Sequence, residues 1–304
     1  MKFLYLLENL RNPVLDEIML IITAFGEETF FMIVAMVLLW CKDKYDGYYM
    51  LFVGFVGTQI NQLLKVTFRI KRPWVLDKNF KAVERAIPEA TGYSFPSGHT
   101  QSSVGTLGSA AMTLKNKILK VLCVAGIILV PFSRMYLGVH TPLDVGVSFI
   151  IAIALVAIFY PLMKAARKSD KVMRIIILAL VLISIAQVIY MSVTLWDKAQ
   201  ENLQNGLKNA YKMLGAVLGL CVVFELDTRF IRFETAAVWW AQILKVVLGL
   251  ALTMGIKELC YFVFGFIGNV PVSRLLSYFV LVIFAGAIWP MTFKWFAKLG
   301  KKKE

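Results

Sequence analysis

The chain is poor in histidine and in usable cysteine. Only 2 of its 304 residues are histidine and 4 are cysteine, and Cys41, Cys123, Cys221 and Cys260 stand singly in or beside apolar segments. No C-x-x-C spacing joins them, which argues against a zinc site and a disulfide framework. No Asp, Glu and His cluster has metal-ligand spacing beyond the polar groups described below. A soluble basic domain is also missing. The net charge of +14 is spread over connectors between apolar runs, and a nucleic-acid partner is not expected. The first apolar stretch lacks a small-residue cleavage site and is preceded by Glu8, Arg11, Asp16 and Glu17; it reads as a retained span, not a signal peptide.

Apolar surface is what the chain has in excess. Hydrophobic residues make up 59% of it and the mean hydropathy is +0.71, far above a soluble domain. The expectation is an all-α integral membrane protein whose partner is the bilayer. A span needs about 20 mainly apolar residues, which divides the chain into roughly nine helices. They fall near 14 to 41, 48 to 70, 98 to 114, 118 to 134, 142 to 163, 172 to 196, 210 to 225, 236 to 258 and 272 to 295. Residues 1 to 13 form an amino-terminal segment, with Phe3, Leu4, Leu6, Leu7 and Leu10 suited to a short helix in the interface. Within the eighth span Lys245 either snorkels or faces a protein interior. By the positive-inside rule the 164 to 174 connector and the Lys301-Lys302-Lys303 tail are cytoplasmic, which puts the amino terminus outside.

This helix map gathers the polar clusters at one membrane face, the extracytoplasmic one. Lys65 and Arg72 end the second helix, Ser97-Gly98-His99 opens the third, Ser133-Arg134 ends the fourth, and His140 and Asp144 open the fifth. Lys65 and Arg72 are separated by two helical turns, about 10 Å of rise, so both can face one ligand. Arg134 adds a forked donor, and the amides at Ser97-Gly98 favour an anion at a helix start. Together they describe a phosphate cradle, against the simpler account of Lys65 and Arg72 as interfacial snorkels. Thr141-Pro142-Leu143-Asp144 has the pattern of a capping box, which fixes the start of helix five. Asp144 then either orients His140 as a nucleophile or serves only as a cap.

Two supporting positions stand out. Glu27 and Glu28 lie inside the first span, where they tune His99 or line the entrance, unless Gly26 breaks the helix and the acids start a second segment. Asn61 shares a helix face with Lys65 and either orients it or bonds a neighbouring helix. The connector from Val75 to Phe95 either lies over the entrance or is a solvated link. In the last three spans, Trp239, Trp240, Trp289 and Trp295 read as interface anchors, and Gly215, Gly219, Gly249 and Gly255 as close-packing sites. A homodimer contact or a lipid-guiding surface is the expected role there.

Lys65-x6-Arg72-Pro73, Pro96-Ser97-Gly98-His99 and Ser133-Arg134-x5-His140-x3-Asp144 resemble the three-part signature of the type 2 phosphatidic acid phosphatase (PAP2) superfamily, which also includes vanadium haloperoxidases. No position departs from it. The resemblance covers a six-helix core at 14 to 196 and leaves 197 to 304 as a three-helix extension with a basic tail. It implies that His140 attacks phosphorus to form a phosphohistidine, that Asp144 supports it, and that His99 protonates the leaving oxygen and then activates water. Lys65, Arg72, Arg134 and the Ser97-Gly98 turn would hold the phosphate, with no metal ion. The substrate expected is a lipid phosphomonoester or diphosphate: undecaprenyl diphosphate, phosphatidylglycerophosphate, phosphatidic acid, or a sphingoid or isoprenoid phosphate, in a bacterial plasma membrane. A lipid phosphotransferase using the same intermediate and a non-catalytic lipid transporter are the alternatives.

Overall fold

The computed structural model describes residues 1–194 and 201–299, with the backbone alone at 201–203. The basic tail at 301 to 303 and the expected core boundary at 196 to 197 lie outside the described residues. Those residues are helical, with no strand. The helices are α1 Lys2–Asn9, α2 Pro13–Ala24, α3 Glu28–Val37, α4 Lys44–Phe68, α5 Pro73–Leu76, α6 Gly98–Thr113, α7 Lys117–Tyr136, α8 Pro142–Ala166, α9 Asp170–Thr194, α10 Glu201–Leu226, α11 Trp239–Gly265, α12 Val270–Ile283 and α13 Phe293–Phe296.

Their starts follow local chemistry. Asn12 caps α2 by accepting from the Leu15 N–H at 3.0 Å, with Pro13 in the first turn, and Asn116 caps α7 through Ile118 and Leu119. Such caps satisfy amides that a helix leaves unpaired. Among the described residues, five helices are long and apolar enough to cross a bilayer, and the bent pair Pro13–Ala24 and Glu28–Lys42 makes a sixth if counted as one span. Helices near the other expected spans do form, but α6 has 16 residues, which is short for a crossing. The first expected span is not straight: it breaks at Phe25 to Glu27 with a bend of 47°.

The chain divides into two compact units. The first holds Met1–Val34, Tyr49–Leu162 and Lys198–Asn205, and the second holds Ala35–Tyr48, Met163–Asp197 and Gly206–Glu304. In the first unit α4 and α6 run antiparallel at close range. A Cβ on Gly57 would lie 2.5 Å from the Gln101 amide nitrogen, and one on Gly105 would lie 3.2 Å from Val53. Helix α7 packs along α6 and α2, with Leu107 filling the space beside Gly126. The same antiparallel register, followed two turns toward the helix ends, brings His99 level with Arg134. Helix α1 is formed, and it buries Leu4 and Leu7 while Tyr5 donates to Asp77 at 2.9 Å.

In the second unit Lys245 faces the interior and is fully buried. Its ammonium donates to the Trp40 carbonyl at 2.7 Å and the Thr235 carbonyl at 3.1 Å, and it sits 4.3 Å from the Phe293 ring centre, so carbonyls and a π face replace lost water. Trp289 departs from its expected role as an interface anchor. It is buried among Trp40, Phe293 and Phe296, because Gly249 leaves room for its indole. Trp239, Trp240 and Trp295 are exposed as anchors would be. Gly215 and Gly219 lie against Leu275 and Phe279, whereas Gly255 meets nothing and has no packing role.

A side chain at Gly215 would overlap the Leu275 carbonyl, which is backbone and cannot swing aside. Gly215→Leu is therefore expected to cost about 1–3 kcal/mol, read as a lower melting temperature of the detergent-purified protein. A melting temperature equal to wild type would show that α10 and α12 do not pack at this contact.

Candidate active site

The end of α4, the connector that follows it, the start of α6, the end of α7 and the start of α8 converge in the first unit. The turn after α7 requires glycine: Gly138 has φ +77, where a Cβ is disfavoured, and a Cβ would also press on Arg11 and Phe80. That turn delivers His140 just ahead of α8. Thr141 and Asp144 form the reciprocal cap, with the Asp144 N–H donating to Thr141 Oγ1 at 3.3 Å and the Thr141 N–H donating to Asp144 Oδ2 at 2.7 Å. Oδ2 also accepts from Ser94 Oγ at 2.6 Å and lies 3.6 Å from His140 Nδ1. Asp144 is thus both cap and neighbour of the imidazole.

Arg72 ties this pair to the connector. Its Nε donates to the Gly92 carbonyl at 3.1 Å, Nη2 to the Thr91 carbonyl at 2.7 Å, and Nη1 to the Val139 carbonyl at 2.9 Å. Nη1 also lies 2.8 Å from His140 Nε2. Arginine only donates, so this contact requires a lone pair on Nε2 and leaves the ring proton on Nδ1, facing Asp144. Burial, then the charges of Arg72, Arg134 and Lys65, push His140 well below the ordinary histidine range, which favours that neutral, nucleophilic form. Burial likewise draws Arg72 down, to about 10, still charged near neutrality. Lys65 Nζ donates to the Tyr93 carbonyl at 2.6 Å.

Arg134 and His99 both act on His140. Arg134 is fully buried, and its Nη1 donates to Thr23 Oγ1 at 2.7 Å. Its Nε and Nη2, and Nε2 of His99, are buried and have no hydrogen-bond partner in the protein. A buried guanidinium edge without an acceptor is costly, by about 1–3 kcal/mol or more for a charged group. An anion that supplies acceptors to this edge relieves that cost. A phosphate oxygen is such an acceptor.

Every residue of the three expected clusters lies in this region, with changes of emphasis. Ser97 caps α6, its Oγ accepting from the Thr100 N–H and hydroxyl, and its own N–H donates to the Asp144 carbonyl at 3.1 Å. Its Oγ and N–H are therefore engaged within the protein, and Gly98 and His99 open the helix that it caps. Asn61 Oδ1 sits 3.9 Å from where a Cβ on Gly98 would be, beside the α6 start. The first helix does break at Gly26, and Glu28 opens α3, where a carboxylate suits the positive helix end. Of the two acids at the break it is Glu27, with Glu89 from the connector, that acts on the Arg134 charge. The connector to Phe95 is no mere solvated link, since its last residues supply the carbonyls and hydroxyl that hold Arg72, Lys65 and Asp144.

Sequence reasoning missed Ser94, Thr23 and the carbonyls of Thr91, Gly92 and Tyr93. A carbonyl carries no residue signature, and a lone hydroxyl in an apolar run resembles any helix-packing threonine. Among the described residues no group of three or more His, Cys, Asp and Glu side chains is placed to hold a metal ion.

These features define a membrane-embedded phosphatase. The PAP2 superfamily model matches residues 46–168, and the model of its phosphatase transmembrane extension matches 211–302. The chain is 31% identical over 151 residues to the undecaprenyl-diphosphatase BcrC of Bacillus subtilis (strain 168), covering 49% of this chain and 75% of that one. It is 30% identical over 160 residues to phosphatidylglycerophosphatase B of the same organism, covering 48% and 74%. With sphingosine-1-phosphate phosphatase 1 of Rattus norvegicus it shares 25% identity over 254 residues, 78% of this chain and 57% of that one. The chain belongs to the PAP2 superfamily. No solved structure matches it significantly.

Ser94 gives a direct check on the geometry. Ser94→Ala removes one donor from Asp144 without touching a bound phosphate, so kcat is expected to fall about tenfold while KM changes little. A rise in KM alone would place Ser94 in the binding surface instead.

Proposed function

We propose that this protein removes phosphate from a lipid phosphomonoester or diphosphate through a phosphohistidine, without a metal ion. The observation that carries the reading is the buried, partnerless edge formed by Arg134 Nε and Nη2 and His99 Nε2, opposite the His140 nucleophile held by Asp144 and Arg72. A phosphoryl group between them would have a nucleophile on one side and a proton donor on the other. His140 Nε2 attacks phosphorus as the bond to the leaving oxygen breaks, and protonated His99 gives that oxygen its proton. His99 then takes a proton from water, which attacks phosphorus and breaks the N–P bond, releasing inorganic phosphate. As phosphorus approaches, the Arg72 donor now on Nε2 passes to a phosphoryl oxygen. Lys65, Arg72, Arg134 and the Gly98 and His99 amides then hold the charge that builds up on the oxygens.

A lipid substrate fits a cradle set at helix ends beside an apolar surface, with the tail remaining in the bilayer. The names of the relatives support the same class, since each acts on a phosphorylated lipid. The reading includes nine spans, a cytoplasmic carboxyl terminus, a site facing outward from a bacterial plasma membrane, and a homodimer contact in the carboxyl-terminal extension.

The test is a purified sample in detergent or liposomes, assayed with prenyl diphosphates, glycerophospholipid phosphates, sphingoid phosphates and a water-soluble phosphomonoester. Free phosphate should appear from at least one lipid, with kcat/KM well above the soluble ester. His140→Ala should abolish turnover and labelling by a radioactive phosphoryl donor; His99→Ala should slow turnover by about 100-fold or more while retaining phosphate binding. Near-normal turnover by His140→Ala, or phosphate recovered only on an added acceptor, would sink the proposal.

A further inference from the structure

We infer that Thr23 is a positioning residue for phosphoryl transfer, acting through Arg134, and that the break in the first span is the device that delivers it. The inference rests on the proposed function above, because it assigns to Arg134 the stabilisation of a phosphoryl group. Neither Thr23 nor the break belongs to the three polar clusters.

The observations are local and concordant. Thr23 lies in the last turn of α2, is 6% exposed, and accepts a hydrogen bond from Arg134 Nη1 at 2.7 Å. That contact leaves the other edge of the guanidinium, Nε and Nη2, without a partner in the protein. The Nε–Nη2 edge is a two-toothed fork matched to two phosphate oxygens. A hydroxyl at Nη1 therefore selects which edge meets the substrate and fixes the guanidinium plane. A carboxylate in its place would compete with the phosphate for the same charge. A threonine hydroxyl holds the group while leaving its charge available.

The break explains how a residue of the first span reaches this depth. Helix α2 ends at Ala24, and the chain bends by 47° before α3. At the bend Gly26 fits against His99 and α7: a Cβ there would lie 2.9 Å from both the His99 Cβ and carbonyl, and 3.1 Å from Val130. Val130 is one turn before Arg134 on α7. The break is thus seated against His99 and against Val130, one turn before Arg134, with Thr23 on one side of it and Glu27 on the other.

The experiment compares Thr23→Val, which keeps the shape and loses the hydroxyl, with Thr23→Ser, which keeps the hydroxyl. Thr23→Ala serves as a second hydroxyl-free variant should the valine not fold. Each is purified, melted in detergent, and assayed for kcat, KM and inhibition by orthovanadate, a five-coordinate mimic of the transferring phosphoryl group. Loss of the hydroxyl is expected to lower kcat and weaken vanadate inhibition by about tenfold to a hundredfold, with KM for the lipid and the melting temperature nearly unchanged. Thr23→Ser should restore both readouts. His140→Ala is run beside them. Vanadate inhibition and kcat within about twofold of wild type in the hydroxyl-free variants, with His140→Ala inactive, overturns the Thr23 inference and leaves the covalent reading standing. Equal losses in Thr23→Ser and Thr23→Val also overturn it, since the hydroxyl would not be responsible. An active His140→Ala overturns the reading on which both depend.

Discussion

Three cations, Lys65, Arg72 and Arg134, are buried within one unit, whereas the buried carboxylate Asp144 acts on Lys65 and Arg72 and Arg134 answers only to the less buried Glu89 and Glu27. That imbalance is the constraint to which the surrounding structure answers. Burying a charge is expensive unless it is paired or hydrogen-bonded, and here most of the compensation comes from neutral dipoles. The carbonyls of Thr91, Gly92, Tyr93 and Val139 take up donors of Arg72 and Lys65, and Thr23 takes up one of Arg134. Dipoles orient cations without neutralising them. The excess positive charge remains available for an anion, which is what a phosphate-binding enzyme requires and what a set of closed salt bridges would have removed.

The same constraint explains why the connector between α4 and α6 is ordered at its end. Ser94 is bound by the Ile70 carbonyl through its N–H at 2.7 Å and by Asp144 through its hydroxyl, so the strip that supplies the carbonyls is fixed at both chemistries it serves. Farther back the connector is held by α1. Arg11 donates to the carbonyls of Tyr136 and Lys81 and lies over the Phe80 ring, joining the amino-terminal helix to the turn that presents His140. The amino-terminal segment, which also exposes Leu6 and Leu10, is therefore part of the scaffold of the site.

Side chains whose chemistry is unusual for their surroundings were legible in the sequence. Two histidines and three cations at the ends of apolar runs have few bland explanations, and the lengths of those runs lead to the expectation that the ends share one face. The capping box at Thr141-x-x-Asp144 was legible for the same reason, because it is a local pattern with a local cause. What was not legible depends on contacts between distant segments. The partner of Arg134 lies 111 residues away, and nothing near Thr23 marks it. Trp289 was misread because tryptophan near a span end suits an interface equally well as a core, and only Gly249, on another helix, decides between them.

The nearness of Asp144 to His140 at 3.6 Å, just beyond hydrogen-bonding range, fits this picture of restrained charge. Oδ2 already accepts from the Thr141 N–H and the Ser94 hydroxyl, both neutral donors at 2.7 and 2.6 Å. These bonds hold the carboxylate in place and stop it from moving fully onto the ring. In the reaction proposed above, bonding of Nε2 to phosphorus makes the ring cationic, and its Nδ1–H then gains most from a carboxylate already in place. An interaction that is weak while the ring is neutral and strong once it is charged favours the reacting state over the resting one. Engaging Asp144 in a helix cap is thus compatible with the catalytic role proposed for it.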